Sequence, residues 1–371
     1  MEIAILGLGG VGSAAARFLA GSGHRVVGFE QYALDHDRGS SYGGSRIIRK
    51  VYPDPFYVEL MEAAYPLWGE LEREAGENLF LHCGGFFFGP EGHAEMMATE
   101  AALQTVGVPY ARWSASETRR RLPFALADDQ YGLFEPQSGL LRASRCVRAM
   151  ARLARSAGAE LREQCPVEAV EVRDSGIWIR SAAGEERFDR LLIAAGPWAG
   201  RVLAPWLTLP VVVTRQQYAH FALIRDRAAF APERFPVWID VETYYYGFPE
   251  HDEVPGVKVA LHRFGPEHDP AGADREPRDE DDAAAREYLR RRLPAAAGEV
   301  TLHKVCLYTV TPDQDFLVDR VPGEPRIAYI GGLSGHGFKF TVLLGRIGAR
   351  LVTDQEPGHD LTRFSLARFG N

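Results

Sequence analysis

Apolar residues fall along this chain in two periods, and the switches between them lay out the fold. Glu2 to Leu6 is a short apolar run that reads as a buried strand, and Val11 to Leu19 carries apolar residues at helical spacing. Arg25 to Phe29 is a second buried strand that ends on Glu30. Helical spacing returns over Tyr57 to Glu74, over Met96 to Leu122 as one or two helices with a polar outer face, and over Arg142 to Gly158 with a glycine cap. Gly84 to Gly89, holding Phe86, Phe87 and Phe88, is an aromatic strand; Gly132 to Gly139 is strand and turn, and Ala159 to Ile179 holds further strands. Arg190 to Trp198 is a buried strand running into a small-residue turn. From Leu209 to Leu307 strand-type segments dominate, at Val211 to Leu223, Pro236 to Phe248 and Val257 to His262. An acidic loop from His268 to Asp282 and a charged helix from Ala283 to Leu293 follow. The chain then returns to strand, glycine loop and helix between Arg326 and Val352.

The opening strand and helix are joined by Gly7-Leu8-Gly9-Gly10-Val11-Gly12. Gly7 allows a tight turn, Gly9 lets backbone approach a pyrophosphate, and Gly12 lets helix and strand pack closely. The free N–H groups of the helix then face the phosphates. Glu30, eighteen residues past Gly12, is placed to accept hydrogen bonds from a ribose diol. Strand, glycines, helix, strand and acid in this order predict a dinucleotide site, without separating NAD from FAD. The late return to strand, glycine loop and helix predicts an α/β chain that leaves the dinucleotide domain and comes back to it. Two interleaved domains are expected, 1–82, 140–210 and 307–371 binding the nucleotide, 83–139 and 211–306 forming a sheet-based substrate domain.

Composition narrows the class. The 371 residues suffice for two cores, and 46% hydrophobic with 25% charged residues is ordinary for a soluble protein. A formal charge of −8 excludes a dedicated nucleic-acid surface. No apolar run of roughly eighteen residues is present, so no membrane span is expected. The apolar start lacks a basic leader and reads as folded, cytoplasmic protein. Cys83, Cys146, Cys165 and Cys306 are scattered without metal-ligand spacing, so reduced thiols and no metal are expected. Only four lysines occur, Lys50, Lys258, Lys304 and Lys339, which singles out each of them, because an ammonium has a shiftable pKa that a guanidinium lacks.

Two loops carry candidate chemistry. His36 to Lys50 is rich in small residues and brings Arg46, Arg49 and Lys50 together, a composition suited to lying against a ligand. Ser334-Gly335-His336-Gly337-Phe338-Lys339-Phe340 precedes the last helix and places Lys339 at its N-terminal end; His336 receives no catalytic role.

Four separated stretches resemble one family. Gly7 to Gly12 with Glu30, the loop Gly39-Ser40-Ser41-Tyr42-Gly43-Gly44-Ser45-Arg46-Ile47-Ile48-Arg49-Lys50-Val51-Tyr52, the run Cys306-Leu307-Tyr308-Thr309-Val310-Thr311-Pro312-Asp313 and the Ser334 to Phe340 loop look like the monomeric sarcosine oxidase and N-methyltryptophan oxidase family. These are FAD-dependent amine oxidases of the D-amino-acid-oxidase-like superfamily. The resemblance extends to Phe134-Glu135-Pro136 and Leu361-Thr362-Arg363-Phe364. It implies an FAD-binding Rossmann-like domain of the glutathione-reductase type, interleaved with a mixed-sheet substrate domain. It also implies a small amino-acid substrate oxidised at the C–N bond to an imine, O2 reduced to hydrogen peroxide, and a monomer.

Carried over by residue, the resemblance implies that Cys306 forms a thioether to the flavin 8α-methyl carbon, neighbouring cations lowering its pKa. Arg49 and Lys339 would hold the substrate carboxylate, and Lys258 would activate oxygen. His262 would be a pocket histidine, Tyr308 an active-site aromatic, and Arg46 a support for flavin attachment. Gly39, Ser40, Tyr42, Gly335, Gly337 and Phe338 would complete the cofactor contacts. Where the family pattern reads Gly-Ser-His-His-Gly, this chain carries Ser41 and Tyr42, so the resemblance implies that a neutral, bulkier tyrosine would stand beside the flavin. The aromatic run Tyr244-Tyr245-Tyr246 and Trp238 are candidates for the pocket wall, and sarcosine, N-methyltryptophan, proline and pipecolate all remain open as substrates.

Overall fold

A computed structural model describes residues 1–252 and 254–370. Its first sheet has six strands in the order Leu317–Val321, Glu324–Gly331, Arg190–Ile193, Glu2–Leu6, Arg25–Phe29, Glu160–Arg162. All neighbours are parallel except the first pair. The alternation of the opening strand explains the layers. Ile3 and Ile5 point into a core shared with the helices Gly10–Gly21, Ala143–Ser156 and Thr341–Val352. Ala4 and Leu6 point the other way, onto the antiparallel sheet Val167–Arg173, Gly176–Ser181, Gly184–Phe188. The helix Thr341–Val352 crosses Gly10–Gly21 so closely that a Cβ on Gly345 would lie 2.4 Å from the Ala14 methyl.

The second large sheet has eight strands in the order Val300–Val310, Val212–Phe221, Val257–Leu261, Tyr245–Phe248, Val237–Asp240, Gly85–Pro90, Gln130–Glu135, Ala111–Ser114. One face is closed by the helix Asp279–Arg292, whose Tyr288 and Leu289 pack with Phe86, Phe88, Trp238, Val257 and Val259. Period-two alternation therefore sends Lys258 to the opposite face. A small three-stranded sheet, Arg46–Ile48, Gly139–Leu141, Phe80–His82, joins the two large ones.

Several expectations shift in detail. The Pro236 to Phe248 segment is two strands, because the Asp240 carboxylate accepts the N–H groups of Glu242 and Thr243 and turns the chain, leaving Tyr244 at φ 63°. The Met96 to Leu122 segment is two helices, Ala94–Val106 and Ala115–Arg121, separated by Gly107 at φ 81° and a short strand. The strand bearing Cys306 stays in the eight-stranded sheet to Val310, past the 306/307 boundary. Lys258 lies on an interior strand, paired with Val212–Phe221 on one side and Tyr245–Phe248 on the other.

Candidate active site

The two large sheets enclose one elongated cavity of about 1000 Å³, at the upper end of the roughly 300–1,000 Å³ usual for small-molecule sites. One end is the glycine turn. Gly7 has φ 91°, and a Cβ there would lie 2.5 Å from the Ala194 carbonyl oxygen, so only glycine fits this close approach of two strands. Gly12 does not line the cavity; a Cβ on it would sit 1.8 Å from the Gly7 oxygen, which gives it the packing role. Gly9 lies open to the cavity with Ser41 near, and Ser41 Oγ accepts from the Gly10 N–H at 3.0 Å. Glu30 is held by the N–H groups of Leu8 at 3.0 Å and Tyr32 at 3.1 Å, which fix its carboxylate at the cavity wall.

The loop from Gly39 to Arg46 bridges from this turn to the Cys306 strand. Ser40 Oγ donates to the Leu307 carbonyl at 2.6 Å, and the Tyr42 hydroxyl donates to the Val305 carbonyl. Arg46 folds back onto its own loop, donating to the carbonyls of Ser45, Ser40 and Tyr42 at 2.8 Å each. Its guanidinium lies 5.9 Å from the Phe338 ring centre. Gly39, Gly335, Gly337 and Phe338 line the cavity with it. Gly335, at φ 80°, lets the loop pass against Tyr308, whose ring a Cβ would meet at 2.5 Å.

Cys306 lies on the cavity wall. The thiol departs from expectation: burial pushes its pKa up, and the pull of Arg46, Lys258, Arg275 and Arg215 does not offset that. The cations foreseen in sequence are present, but desolvation outweighs them.

At the other end, cations gather. Lys339 is buried and donates to the Tyr52 hydroxyl at 2.9 Å and the His336 carbonyl at 2.7 Å. Arg49 stacks 4.2 Å from the Tyr52 ring centre and 5.6 Å from that of Phe87. Among the described residues neither has an acidic partner, and burial, then Arg49, holds the Lys339 ammonium well below the usual lysine range. His262 faces Tyr308 at 3.4 Å and is lowered to about 4 by burial, then by Arg49 and Lys339, so its imidazole is neutral. Lys258 donates to the Ser45 carbonyl at 3.0 Å and lies 4.2 Å from the Tyr218 ring centre. Burial, then Arg46, lowers its pKa well below the usual value.

Some expected residues lie elsewhere. Lys50 turns away from its loop to pair with Glu62 at 2.6 Å and Gln137 at 2.6 Å. Of the aromatic run, Tyr244 and Tyr246 line the cavity, whereas Tyr245 stacks on Tyr288 at 4.3 Å on the far face. Trp238 is fully buried in that far core and walls nothing. Conversely, Tyr52 and Glu95 line the cavity without having been singled out, as does His336, which received no catalytic role from the sequence. His336 bridges the Tyr52 hydroxyl at 3.2 Å and the Gln314 carbonyl at 3.1 Å, an anchor for the loop that carries Lys339. Among the described residues no His, Cys, Asp and Glu group is placed to hold a metal, and no helix is long and apolar enough to cross a membrane.

The family described as FAD dependent oxidoreductase, DAO, matches residues 2–351. The chain belongs to that family. It is 34% identical over 374 residues to the monomeric sarcosine oxidase of Streptomyces avermitilis, covering 99% of this chain and 97% of that one. It is 32% identical, over 99% of both chains, to the N-methyl-L-tryptophan oxidase of Yersinia pestis. Its fold is that of the L-proline dehydrogenase from P. horikoshii, with TM-score 0.88 at 21% identity over 100% and 97% of the chains. NikD, an unusual amino acid oxidase essential for nikkomycin biosynthesis, superposes with TM-score 0.87 at 24% identity over 98% and 96%. The protein is thus an FAD-dependent oxidoreductase. The cavity fits that cofactor: a glycine turn at a helix N-terminus, an acid fixed by two backbone N–H groups, and one continuous space from there to the cationic end.

Proposed function

We propose that this FAD-dependent enzyme oxidises secondary amino acids, N-methylated or cyclic, at the C–N bond to imines, with O2 as the electron acceptor and hydrogen peroxide as the product. The observation that carries this reading is the pair Arg49 and Lys339, two cations without an acidic partner among the described residues, in the same cavity as the glycine turn. Such charges are costly to hold there unless an anion meets them, and a carboxylate accepts from both at once. FAD supplies the acceptor for the electron pair leaving the carbon beside nitrogen.

Each residue then has one task. Arg49 and Lys339 clamp the substrate carboxylate and so fix which carbon faces the cofactor. His262, neutral and beside Tyr308, accepts or donates a hydrogen bond at the amine without adding a repelling charge to the cationic end. Lys258 provides positive charge for the oxygen half-reaction. Residues 1–82, 140–210 and 311–371 form the cofactor part, and 83–139 with 211–310 the substrate part, of a monomer. Sarcosine and N-methyl-L-tryptophan, the compounds in the names of the relatives, bracket the side-chain sizes to test.

Cys306 is the proposed point of covalent flavin attachment. The raised thiol pKa favours a second reading, a non-covalently bound FAD serving a different electron acceptor. One experiment separates them. The purified yellow protein is precipitated in acid beside its Cys306→Ala variant, and oxygen uptake and peroxide are measured with N-methyl amino acids. Flavin retained only by the wild type, with peroxide formed stoichiometrically, is the expected result. Flavin released from both proteins, with little peroxide in air, overturns the covalent oxidase in favour of the second reading.

A further inference from the structure

The cavity holds a carboxylate that neither the cofactor nor the substrate carboxylate accounts for. Of the acids that line it, Glu30 pairs with His36, Asp35 with Arg148, Asp54 and Asp315 with Arg363, Glu168 with Arg180 and Asp313 with Arg368. Apart from Glu30, which two backbone N–H groups hold and whose His36 neighbour is a cation only when protonated, Glu95 alone has no cationic partner among the described residues; its one hydrogen bond is from the Tyr244 hydroxyl at 3.5 Å. Arg263, exposed and 5.7 Å from the Tyr244 ring centre, makes no ion pair with it.

Tyr244 is held there by its backbone. It sits at φ 63°, a conformation that L residues with side chains seldom adopt, at the turn between Val237–Asp240 and Tyr245–Phe248. Two main-chain bonds fix that turn: Tyr244 N–H donates to the Asp240 carbonyl at 2.8 Å, and the His262 N–H donates to the Tyr244 carbonyl at 2.8 Å. The turn that aims Tyr244 at Glu95 is therefore bonded to the residue beside Tyr308 and the cationic end. Glu95 and His262 both line the cavity, and both are bonded to Tyr244, one through its hydroxyl and the other through its carbonyl. Glu95 also lies in the first turn of Ala94–Val106, where a negative charge favours the helix, but that role does not require its contact with Tyr244 inside the cavity.

We propose that Glu95, oriented by Tyr244, selects substrates with a second positive charge, that is, secondary amino acids whose side chain ends in an ammonium or guanidinium group. This rests on the reading of the site as a secondary amino-acid oxidase. A carboxylate left without a cation in the same cavity as Arg49 and Lys339 is matched by such a group and leaves a neutral side chain of the same length at a disadvantage.

The test uses the holoenzyme with Nα-methyl-L-lysine, Nα-methyl-L-arginine and the neutral Nα-methyl-L-norleucine. The kcat/KM of the basic substrates is expected to exceed that of the neutral one by about ten- to a hundredfold, the usual range for a charge-assisted hydrogen bond. The preference should collapse to about onefold in Glu95→Gln, be kept in part by Glu95→Asp, and weaken in Tyr244→Phe. A binding arm follows the absorbance of bound FAD with ε-aminocaproate against caproate. If none of the three substrates is oxidised but ε-aminocaproate still binds better in wild type than in Glu95→Gln, the selection of a second cation stands and the N-alkyl reading falls. Equal use of basic and neutral substrates by the wild type overturns the selection while leaving the oxidase reading intact. A Glu95→Gln variant that loses thermal stability and keeps the preference reduces Glu95 to a helix residue and overturns it as well.

Discussion

The Lys339 ammonium and the Tyr52 hydroxyl meet at 2.9 Å across 287 residues of chain, with the Arg49 guanidinium 4.2 Å over the same tyrosine ring. Tyr52 thus separates two cations that would otherwise repel each other directly, offering an oxygen to one and a π-face to the other. The arrangement is stable only as far as the fold forces it, because no acid among the described residues compensates for burying an ammonium beside a guanidinium.

Replacing Lys339 therefore separates stability from function. Lys339→Met should raise the thermal midpoint of the holoenzyme, since removing an unpaired buried charge is worth about 1–2 kcal/mol where packing is kept. It should also lower kcat/KM for any carboxylate substrate by about ten- to a hundredfold. The same lysine gives a proton linkage. Its folded pKa is lowered, so the unfolded chain binds more protons between the two values, and stability rises with pH through that window up to the unfolded value. A bound carboxylate reverses the shift, so ligand binding takes up protons where the pH lies above the lowered value. Isothermal titration in buffers of different ionisation enthalpy reads that uptake directly, and an uptake unchanged in Lys339→Gln would rule out Lys339 as its source.

The neutral state of His262 makes a second prediction. Its pKa of about 4 lies below the unfolded value of 6.5, so its contribution to stability is complete above about pH 6.5 and is lost as pH falls towards 4. Over the neutral range it neither titrates nor gains charge. The kcat/KM profile should then carry no limb near pH 6.5 attributable to this residue, and the profile of His262→Asn should keep the wild-type shape at reduced height. A limb near 6.5 that vanishes in the variant would show that His262 works as the imidazolium.

The strands, helices and glycine turn were readable because each depends on local spacing: Gly7, Gly12 and Glu30 lie within one strand–helix–strand unit. The cationic end was readable only through the resemblance. Arg49, Lys339 and the pair Lys258 and His262 come from three segments, and spacing in sequence does not bring those segments together. Glu95, just before the helical spacing that starts at Met96, was not singled out, because the surface it turns to is made by the distant Tyr244 turn. Trp238 and Tyr245 failed for the opposite reason: alternation gives two faces to a strand, and the sequence does not say which one meets the cavity and which meets the Asp279–Arg292 helix. The Cys306 thiol was misjudged because neighbouring cations are visible as letters and burial is not.

Lys258 is central in its sheet, and its ammonium points at the Ser45 carbonyl on the cofactor loop rather than at the Arg49 end. That placement separates it from substrate binding. Lys258→Met should slow reoxidation of the reduced enzyme by O2 on the order of a hundredfold, the scale of removing one preorganised electrostatic contact. Anaerobic reduction by substrate should change only a few-fold. Stopped-flow absorbance measures both steps, and equal slowing of the two would remove Lys258 from the oxygen half-reaction.

Tyr42 ties the cofactor loop to the strand that presents Cys306, its hydroxyl donating to the carbonyl of the preceding residue, Val305. Burial pushes its own pKa far up, so it stays a neutral donor at any working pH. Tyr42→Phe keeps the ring in its buried place and removes one hydrogen bond, at a cost of about 0.5–1.5 kcal/mol. The fold and FAD binding should survive, while the Cys306 strand is held less closely to the loop. Apoprotein reconstituted with FAD should then acquire acid-stable flavin more slowly in Tyr42→Phe than in the wild type, and no faster in Tyr42→Phe/Cys306→Ala than in Cys306→Ala alone. The time course of flavin retained after acid precipitation reads this rate. Identical time courses for Tyr42→Phe and wild type would mean that the tyrosine only fills space beside the strand.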